Sequence, residues 1–532
     1  AASHHALARK AAAEGCVLLK NEGDLLPLAP RTRVALIGDF AETPRYQGAG
    51  SSAVNSTKVD SLLGLMGETG LELVGYEPGF ERHGGENRAK LEAALDLAAR
   101  AEVALLALGL DEVAETEGAE RRTMALNANQ VELLHAVAQV NPRIVVLLSA
   151  GSCVESDWVA DAPAVLYCAL GGQAGAGGAL DVVTGAVCPS GKLTETWPAR
   201  LEDVPSSANY PAEDLHAEYR EGIYVGYRYF QTAHVPVAYP FGFGLSYTSF
   251  SYSGLKATEH GASFTVTNTG TRAGAEVAQL YVAKPDHKVF RPEQELRGFA
   301  RVELAPGESR RVTIALDDRA FSYFNVATGR WEIEGGTYEV RVGASSEDVR
   351  LTGEVRLAGT AAPNPYAGID LAPYETGKVT QVSDGHFSSL LGRQLPGSDQ
   401  RINRNMCFRD LNHGRSGILW LVWLVLRSRV RAMEKSGVSD INVLFIWNMP
   451  LRAMGIMTSG ITDMDVVDAV LREVRGWGWG GAVLLALALA LGWGPLVGCL
   501  LWLAWVVVPI LGALVANLVR NAALARKLAG RR

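Results

Sequence analysis

Between residues 33 and 170 the chain alternates short apolar runs with longer amphipathic stretches. The runs are RVALIGD (33–39), LELVGY (71–76), VALLALGL (103–110), IVVLLSA (144–150) and AVLYCAL (164–170). Between them lie helical patterns near 57–69, at 88–100, and from Asn129 to a stop at Asn141-Pro142. A run that is apolar at every position suits a strand covered on both faces. Parallel neighbours also need a long crossover, which a helix supplies. The spacing therefore predicts an α/β fold over residues 30–200, a parallel or mixed sheet with helices on both faces. Ahead of it, residues 3–21 read as one helix with Leu7, Ala11 and Leu18 on a common face, within a lead-in helix and linker over 1–29.

From 262 the period changes. SFTVTNTG, EVAQLYVAK, RRVTIAL and GTYEVRVG are short alternating strands separated by turn residues. This is the pattern of a small antiparallel β-sandwich of immunoglobulin or fibronectin type, placed at 259–358. A Tyr-, Pro- and Gly-rich connector fills 201–258, and a linker with a helical tail fills 359–475. No charged residue then occurs from Gly476 to Val519. At about 1.5 Å per residue that stretch is too long for one membrane span and fits two transmembrane helices turning at Gly492–Pro495. Trp477, Trp479, Trp493 and Trp502 suit the interface. Arg472 and Arg475 precede the stretch, and Arg520, Arg526, Lys527, Arg531 and Arg532 follow it. The excess of positive charge at both ends predicts a membrane-associated protein, with its globular domains and its basic tail (520–532) on the cytoplasmic side.

The chain has 532 residues and a net charge of -7, with no basic stripe before its last fifty residues, which argues against a nucleic-acid partner. Six cysteines (16, 153, 168, 188, 407, 499) show neither metal-ligand nor disulfide-framework spacing and read as small buried residues. No cofactor and no metal are expected. The histidines have no ligand spacing, and Gln47-Gly48-Ala49-Gly50-Ser51-Ser52 lacks the lysine of a phosphate-binding loop. The start at Ala-Ala-Ser-His-His, without methionine, reads as processed or truncated.

The loop after the third apolar run gathers carboxylates. In GLDEVAETEGAERRTMAL (109–126), Asp111, Glu112, Glu115 and Glu117 are followed by Arg121 and Arg122. Such a loop is either a solvated, ion-paired surface or a rim holding a general acid. The C-terminal ends of strands in open α/β sheets are where ligand groups collect.

Several stretches, in order, resemble the family 3 glycoside hydrolases, the β-glucosidases and their relatives. They are HHALARKAAAEGCVLLKNEGDLLPL, YQGAGSSAV (46–54), ETEGAERRTMALNANQVELL (115–134) and GGQAGAGGALDVVTGAVCPSGKLTETWP (171–198). YREGIYVGYRYF (219–230) and YPFGFGLSYTSF (239–250) continue the likeness. EVAQLYVAKPDHKVFRPEQELRGF and GTYEVRVG are similar to that family's fibronectin type III-like domain, and FSSLLGRQLP (387–396) with MPLRAMGIMTSGITDMDVVDAVL (449–471) to a tail found in some members.

The resemblance implies an α/β sandwich domain that lends an acid/base glutamate to an aspartate nucleophile on an N-terminal barrel. Retaining hydrolysis needs the two carboxyls about 5–5.5 Å apart. Glu115 is then the first candidate for the acid/base and Glu117 the second, with Glu112 a distant third. Ser156-Asp157-Trp158 looks like a nucleophile context, but it follows a strand of this domain, so Asp157 reads as a capping or surface residue. A barrel needs about 250 residues, and the unassigned soluble stretch is less than half of that. The expected protein is the C-terminal portion of a retaining, exo-acting β-glycosidase. Its substrate would be an oligosaccharide or an aryl or alkyl β-glycoside, and its partners the missing barrel domain and the membrane. The alternative is a non-catalytic, membrane-anchored carbohydrate-binding or scaffold module.

Overall fold

The computed structural model describes residues 2–520, apart from 118–120, 122, 213–215, 398–401, 437–439, 458–462, 476–506, 509 and 518. Two compact units divide the chain. Residues 1–115, 121–211 and 218–395 form the first, and 116–120, 212–217 and 396–532 the second.

The first unit opens with helix α1 (Ala2–Gly15) and strand β1 (Val17–Asn21). Strands β2 (Arg33–Ile37), β3 (Glu72–Glu77), β4 (Val103–Gly109), β5 (Ile144–Ser149) and β6 (Ala164–Tyr167) follow, with helices α2 (Leu62–Leu65), α3 (Arg88–Ala99) and α4 (Ala128–Val140) between them and α5 (Gly175–Val183) after. The sheet runs β1-β6-β5-β4-β2-β3. All its neighbours are parallel except β1, which pairs antiparallel with β6, Val17 opposite Tyr167. The apolar runs account for this order, since every residue of β4 is buried, as strands covered by helices on both faces must be.

The expected helix over 3–21 is corrected at its second half. The chain breaks at Gly15, and residues 17–21 become the edge strand of the mixed sheet rather than a further helical turn. In a helix Leu18 would share one face with Leu7, whereas in the strand it is fully buried against the core. α1 then lies on α5 through glycine, because a Cβ on Gly178 would stand 2.6 Å from the backbone nitrogen of Ala13. Arg9 on α1 clamps Asp181 on α5 through two hydrogen bonds of 2.8 Å.

The connector carries structure of its own. Strand β7 (Trp197–Pro198) pairs with β8 (Val237–Tyr239), and helix α6 (Tyr227–Thr232) lies between them in sequence. The sandwich begins at β9 (Phe250–Thr258), earlier than the expected 259. It continues through β10 (Gly261–Asn268), β11 (Gly274–Ala283), β12 (Glu295–Leu304), β13 (Ser309–Ala315), β14 (Ser322–Asn325), β15 (Arg330–Ile333), β16 (Gly336–Gly343) and β17 (Val349–Leu357). One sheet is β13-β10-β9 and the other β12-β11-β16-β17, both antiparallel. β10 alternates buried and half-buried residues along its whole length, the period expected of a strand with one face on a core. Lys192 reaches Glu276 at 3.1 Å, and Gln279 donates to Gly242 and Ala344, so the two domains of this unit share polar contacts.

In the second unit, helices Gly417–Ser436, Ile441–Asn448 and Met464–Val474 surround a small core of Met406, Leu411, Leu451, Val467 and Leu471. Asp463 caps the last of these helices. Most of the expected membrane hairpin, 476–519, lies outside the described residues, as does the basic tail from 521. Among the described residues no helix is long and apolar enough to cross a membrane.

One side chain decides where β4 stops. Gln130, on α4 and wholly buried, accepts from the Gly109 amide and donates to the Gly109 carbonyl, both at 2.9 Å. Replacing it by leucine strands two buried backbone groups, each worth about 1–3 kcal/mol. Gln130→Leu should therefore lower the thermal midpoint by roughly 5–10 °C, whereas Gln139→Leu, exposed near the end of the same helix, should shift it little. Scanning calorimetry of the two variants checks this.

Candidate functional site

The loops after β2, β4, β5 and β6 meet at the carboxyl edge of the parallel strands, the side on which open α/β sheets hold ligands. The acidic loop after β4 is built by its own carboxylates. Asp111 is buried and turns back to accept from the amides of Val113 and Ala114 at 3.0 and 2.8 Å, which folds the loop's first turn. Its other oxygen faces Nδ1 of His83 at 3.2 Å.

Glu112 takes a two-pronged contact from Arg82, at 2.6 and 3.1 Å. The same guanidinium bonds Asp39 from the loop after β2 and lies over the Phe40 ring at 4.5 Å. Burial pushes the Glu112 carboxyl up, but the hydrogen bonds and charge of Arg82 outweigh it and hold it below the usual carboxylate range.

Glu115 is tied to the loop after β5. The Gly151 amide donates to both of its oxygens, at 2.9 and 3.0 Å, and the Ser152 hydroxyl donates to Oε1 at 3.1 Å. Nη2 of Arg45, from the loop after β2, stands 3.5 Å from Oε2. The Arg45 side chain is only 1% exposed, and its Nε and Nη2 have no hydrogen-bond partner among the described residues, so Glu115 is the counter-charge it faces. Arg121 completes the arrangement by donating to Ser152 Oγ (2.7 Å), the Cys153 carbonyl (2.9 Å) and the Met124 carbonyl (2.8 Å). Both oxygens of Glu115 are thus engaged. Glu117, two residues on, is exposed.

Asp157 is exposed at the start of a short 3-10 turn, Asp157–Asp161, away from the core. The 46–54 loop closes on itself, with the Gln47 side chain accepting from the Val54 amide (2.8 Å) and donating to its carbonyl (3.1 Å).

Beside the loops lies a cavity of about 600 Å³ lined by Cys153, Glu195, Thr196, Glu221, Tyr227 and Arg228. Burial raises the Glu195 carboxyl above its ordinary range, and the charge of Glu115 adds to this against the pull of Arg121. Four residues here escaped the sequence reading as site residues: Arg45, Arg82, Glu195 and Ser152. Nothing local marked the two arginines, since acids stand close to each in the chain, Glu42 before Arg45 and Glu81 beside Arg82. Among the described residues no group of three or more histidine, cysteine or carboxylate side chains could hold a metal ion.

Residues 16–247 match the glycosyl hydrolase family 3 C-terminal domain, and residues 276–346 match a fibronectin type III-like domain. The thermostable β-glucosidase B of Acetivibrio thermocellus is 43% identical over 404 residues, covering 74% of this chain and 53% of that protein. An exo-α-(1→6)-L-arabinopyranosidase of Bifidobacterium longum is 40% identical over 428 residues, covering 74% and 56%. Among solved structures, a GH3 β-glucosidase of Bifidobacterium adolescentis superimposes with a TM-score of 0.66 at 41% identity, over 73% of this chain and 56% of that one. The β-glucosidase of Kluyveromyces marxianus in complex with glucose gives 0.63 at 27% identity, over 67% and 62%. The chain spans about half the length of the curated relatives it matches.

Removing Glu115 leaves a buried guanidinium without its counter-charge, a change that costs about 3–5 kcal/mol in buried pairs. Glu115→Ala should melt well below the unmodified chain, by roughly 5–10 °C. Adding Arg45→Met should recover part of the loss, because the stranded charge goes too. A double-mutant cycle on thermal midpoints reads the coupling, and additive losses would show that the pair does not interact.

Proposed function

The chain carries the C-terminal domain of the family 3 glycoside hydrolases with a fibronectin type III-like domain after it, and from that premise we propose that it is the C-terminal portion of a retaining β-glycosidase. Its part in the reaction is to supply the acid/base glutamate. The nucleophile, an aspartate on a barrel domain, belongs to another part of the enzyme. The names of the relatives, β-glucosidases and arabinopyranosidases, support an exo-acting enzyme on small glycosides.

The observation that carries the assignment is how the four carboxylates of one loop are used. Asp111 folds the turn, Glu112 holds Arg82, and Glu115 holds Gly151, Ser152 and Arg45. An acid/base must be reached by the glycosidic oxygen and later by a water. Glu115, the first choice on sequence, has both oxygens occupied and acts in this proposal as the positioning residue. Glu117 is solvent-exposed in the same loop, where a substrate can reach it, and takes the acid/base role in this proposal. With the nucleophile about 5–5.5 Å away it first protonates the leaving oxygen, and it then deprotonates the water that opens the glycosyl-enzyme.

We also keep a membrane tether within the proposal, on the uncharged run 476–519 and the arginines that flank it, with the globular domains cytoplasmic. Cysteines placed at Ser389 and Arg532 should then be labelled from the same side of the membrane. Labelling from opposite sides would leave a single span.

The catalytic assignment is tested in a hybrid in which this chain replaces the matching part of the Acetivibrio thermocellus β-glucosidase B. The chain alone should not turn over an aryl β-glucoside, and the hybrid should. Glu117→Gly in the hybrid should lose about 10²–10⁴ in rate, and added azide should restore turnover and give a β-glycosyl azide. Glu115→Gly should lose activity through a loosened loop, and azide should not restore it. Azide rescue of Glu115→Gly but not of Glu117→Gly would return the role to Glu115. Full activity of the isolated chain would refute the division of labour itself.

A further inference from the structure

We propose that Cys16 and Cys168 form a reversible, peroxide-driven disulfide that staples the lead-in of the α/β domain to the end of its sheet. The inference is independent of the catalytic reading above, because it uses none of the acidic loop's carboxylates.

β1 and β6 run antiparallel with Val17 opposite Tyr167 and Leu18 opposite Leu166. One step along the same register sets Cys16 opposite Cys168. The amides show which kind of rung this is. Cys16 donates its N–H back to Ala12 at 3.0 Å, and Cys168 donates its N–H across to Leu148 on β5 at 2.8 Å. Neither points at the other strand of the pair, so the two cysteines occupy a non-hydrogen-bonded rung. Directly opposite residues in such a rung have Cα atoms about 4.5 Å apart and side chains in closest approach. That distance lies inside the range of about 4.4–6.8 Å that a disulfide spans. Cys168 Sγ donates to the Leu166 carbonyl at 3.6 Å, and the neighbouring Cys16 thiol together with burial pushes the Cys168 thiol well above its ordinary range. Both are free thiols in this structure.

An oxidant can reach the pair from one side. Cys168 lines a cavity of about 40 Å³ with Phe40, Tyr46, Ser149 and Ala176. On that measure a water needs about 10–15 Å³, so a hydrogen peroxide molecule fits and a tripeptide disulfide does not. Cys168 as thiolate attacks one peroxide oxygen and releases hydroxide, giving a sulfenic acid. Cys16 then attacks that sulfur and water leaves. Two thiols and one peroxide give one disulfide and two waters. The raised Cys168 thiol makes the first step slow at neutral pH and faster as pH rises.

The staple lies close to the site. Gly172, in the loop that follows Cys168, donates to the Tyr46 carbonyl, and Gln173 in the same loop bonds His5 of α1. Oxidation therefore joins β1 covalently to the chain on which the 46–54 turn rests.

The experiment treats the purified full chain with hydrogen peroxide, traps remaining thiols with a maleimide, and maps the digest by mass spectrometry. The expected product is a peptide holding Cys16 linked to one holding Cys168, separated again by dithiothreitol, forming faster at pH 9 than at pH 7 and not with glutathione disulfide over the same time. The oxidised chain should melt roughly 5 °C or more above the reduced one, since the link closes a long loop in the unfolded chain. Recovery of both residues as maleimide adducts, or linkage of Cys168 to any other cysteine, would overturn the proposal, as would a linked chain that melts no higher than the reduced one. The reading uses the unmutated protein, so no folding defect of a variant can obscure it.

Discussion

The paired hydrogen bonds between Gln130 and Gly109 are the contact on which the acidic loop depends. A parallel strand has no turn of its own at its carboxyl end, and its last amide and carbonyl must be satisfied inside the protein. A buried amide side chain does both here, one atom for each backbone group. The position needs glycine, because a Cβ at 109 would fall 1.9 Å from the Ser149 carbonyl oxygen. The strand ends in place, and Asp111 can begin its turn two residues later. A site that must hold a reacting carboxyl to a fraction of an ångström starts from a strand end fixed this tightly.

Charge is then used as local scaffolding. Arg82 spans from the loop after β2 to Glu112, Arg45 faces Glu115, and Arg121 holds the Ser152 hydroxyl that in turn bonds Glu115. Three cations sit among the loop's acids, and each connects segments that follow different strands. Isolated surface pairs are worth little, but pairs this enclosed are costly to break from one side, which gives the loop a defined shape rather than added bulk stability.

The sheet was legible in the sequence because strands buried on both faces write continuous apolar runs, and β2, β4, β5 and β6 each lie within one. β1 was not. Val17 to Asn21 follow a good helix, and the leucine at 18 continues the helical period, so nothing local marks the change to an edge strand. The four carboxylates of the loop were visible at once, but their division of labour was hidden. Arg82 sits 30 residues from Glu112 in the chain, and the Gly151 amide 36 from Glu115, distances over which no periodicity speaks. The cysteines were read singly and became a pair only when the antiparallel register set them opposite one another.

That antiparallel edge also orders the life of the chain in time. β1 is made before the other strands of its sheet and pairs there with β6, the last of them to be made. At ribosomal rates of about 5–20 residues per second the wait is on the order of ten seconds. During it Val17, Leu18 and Leu19, all buried once folded, have no sheet to join. The growing chain thus carries an apolar strand without its sheet partner until the last strand of the sheet emerges, a segment that must stay out of aggregates for that interval.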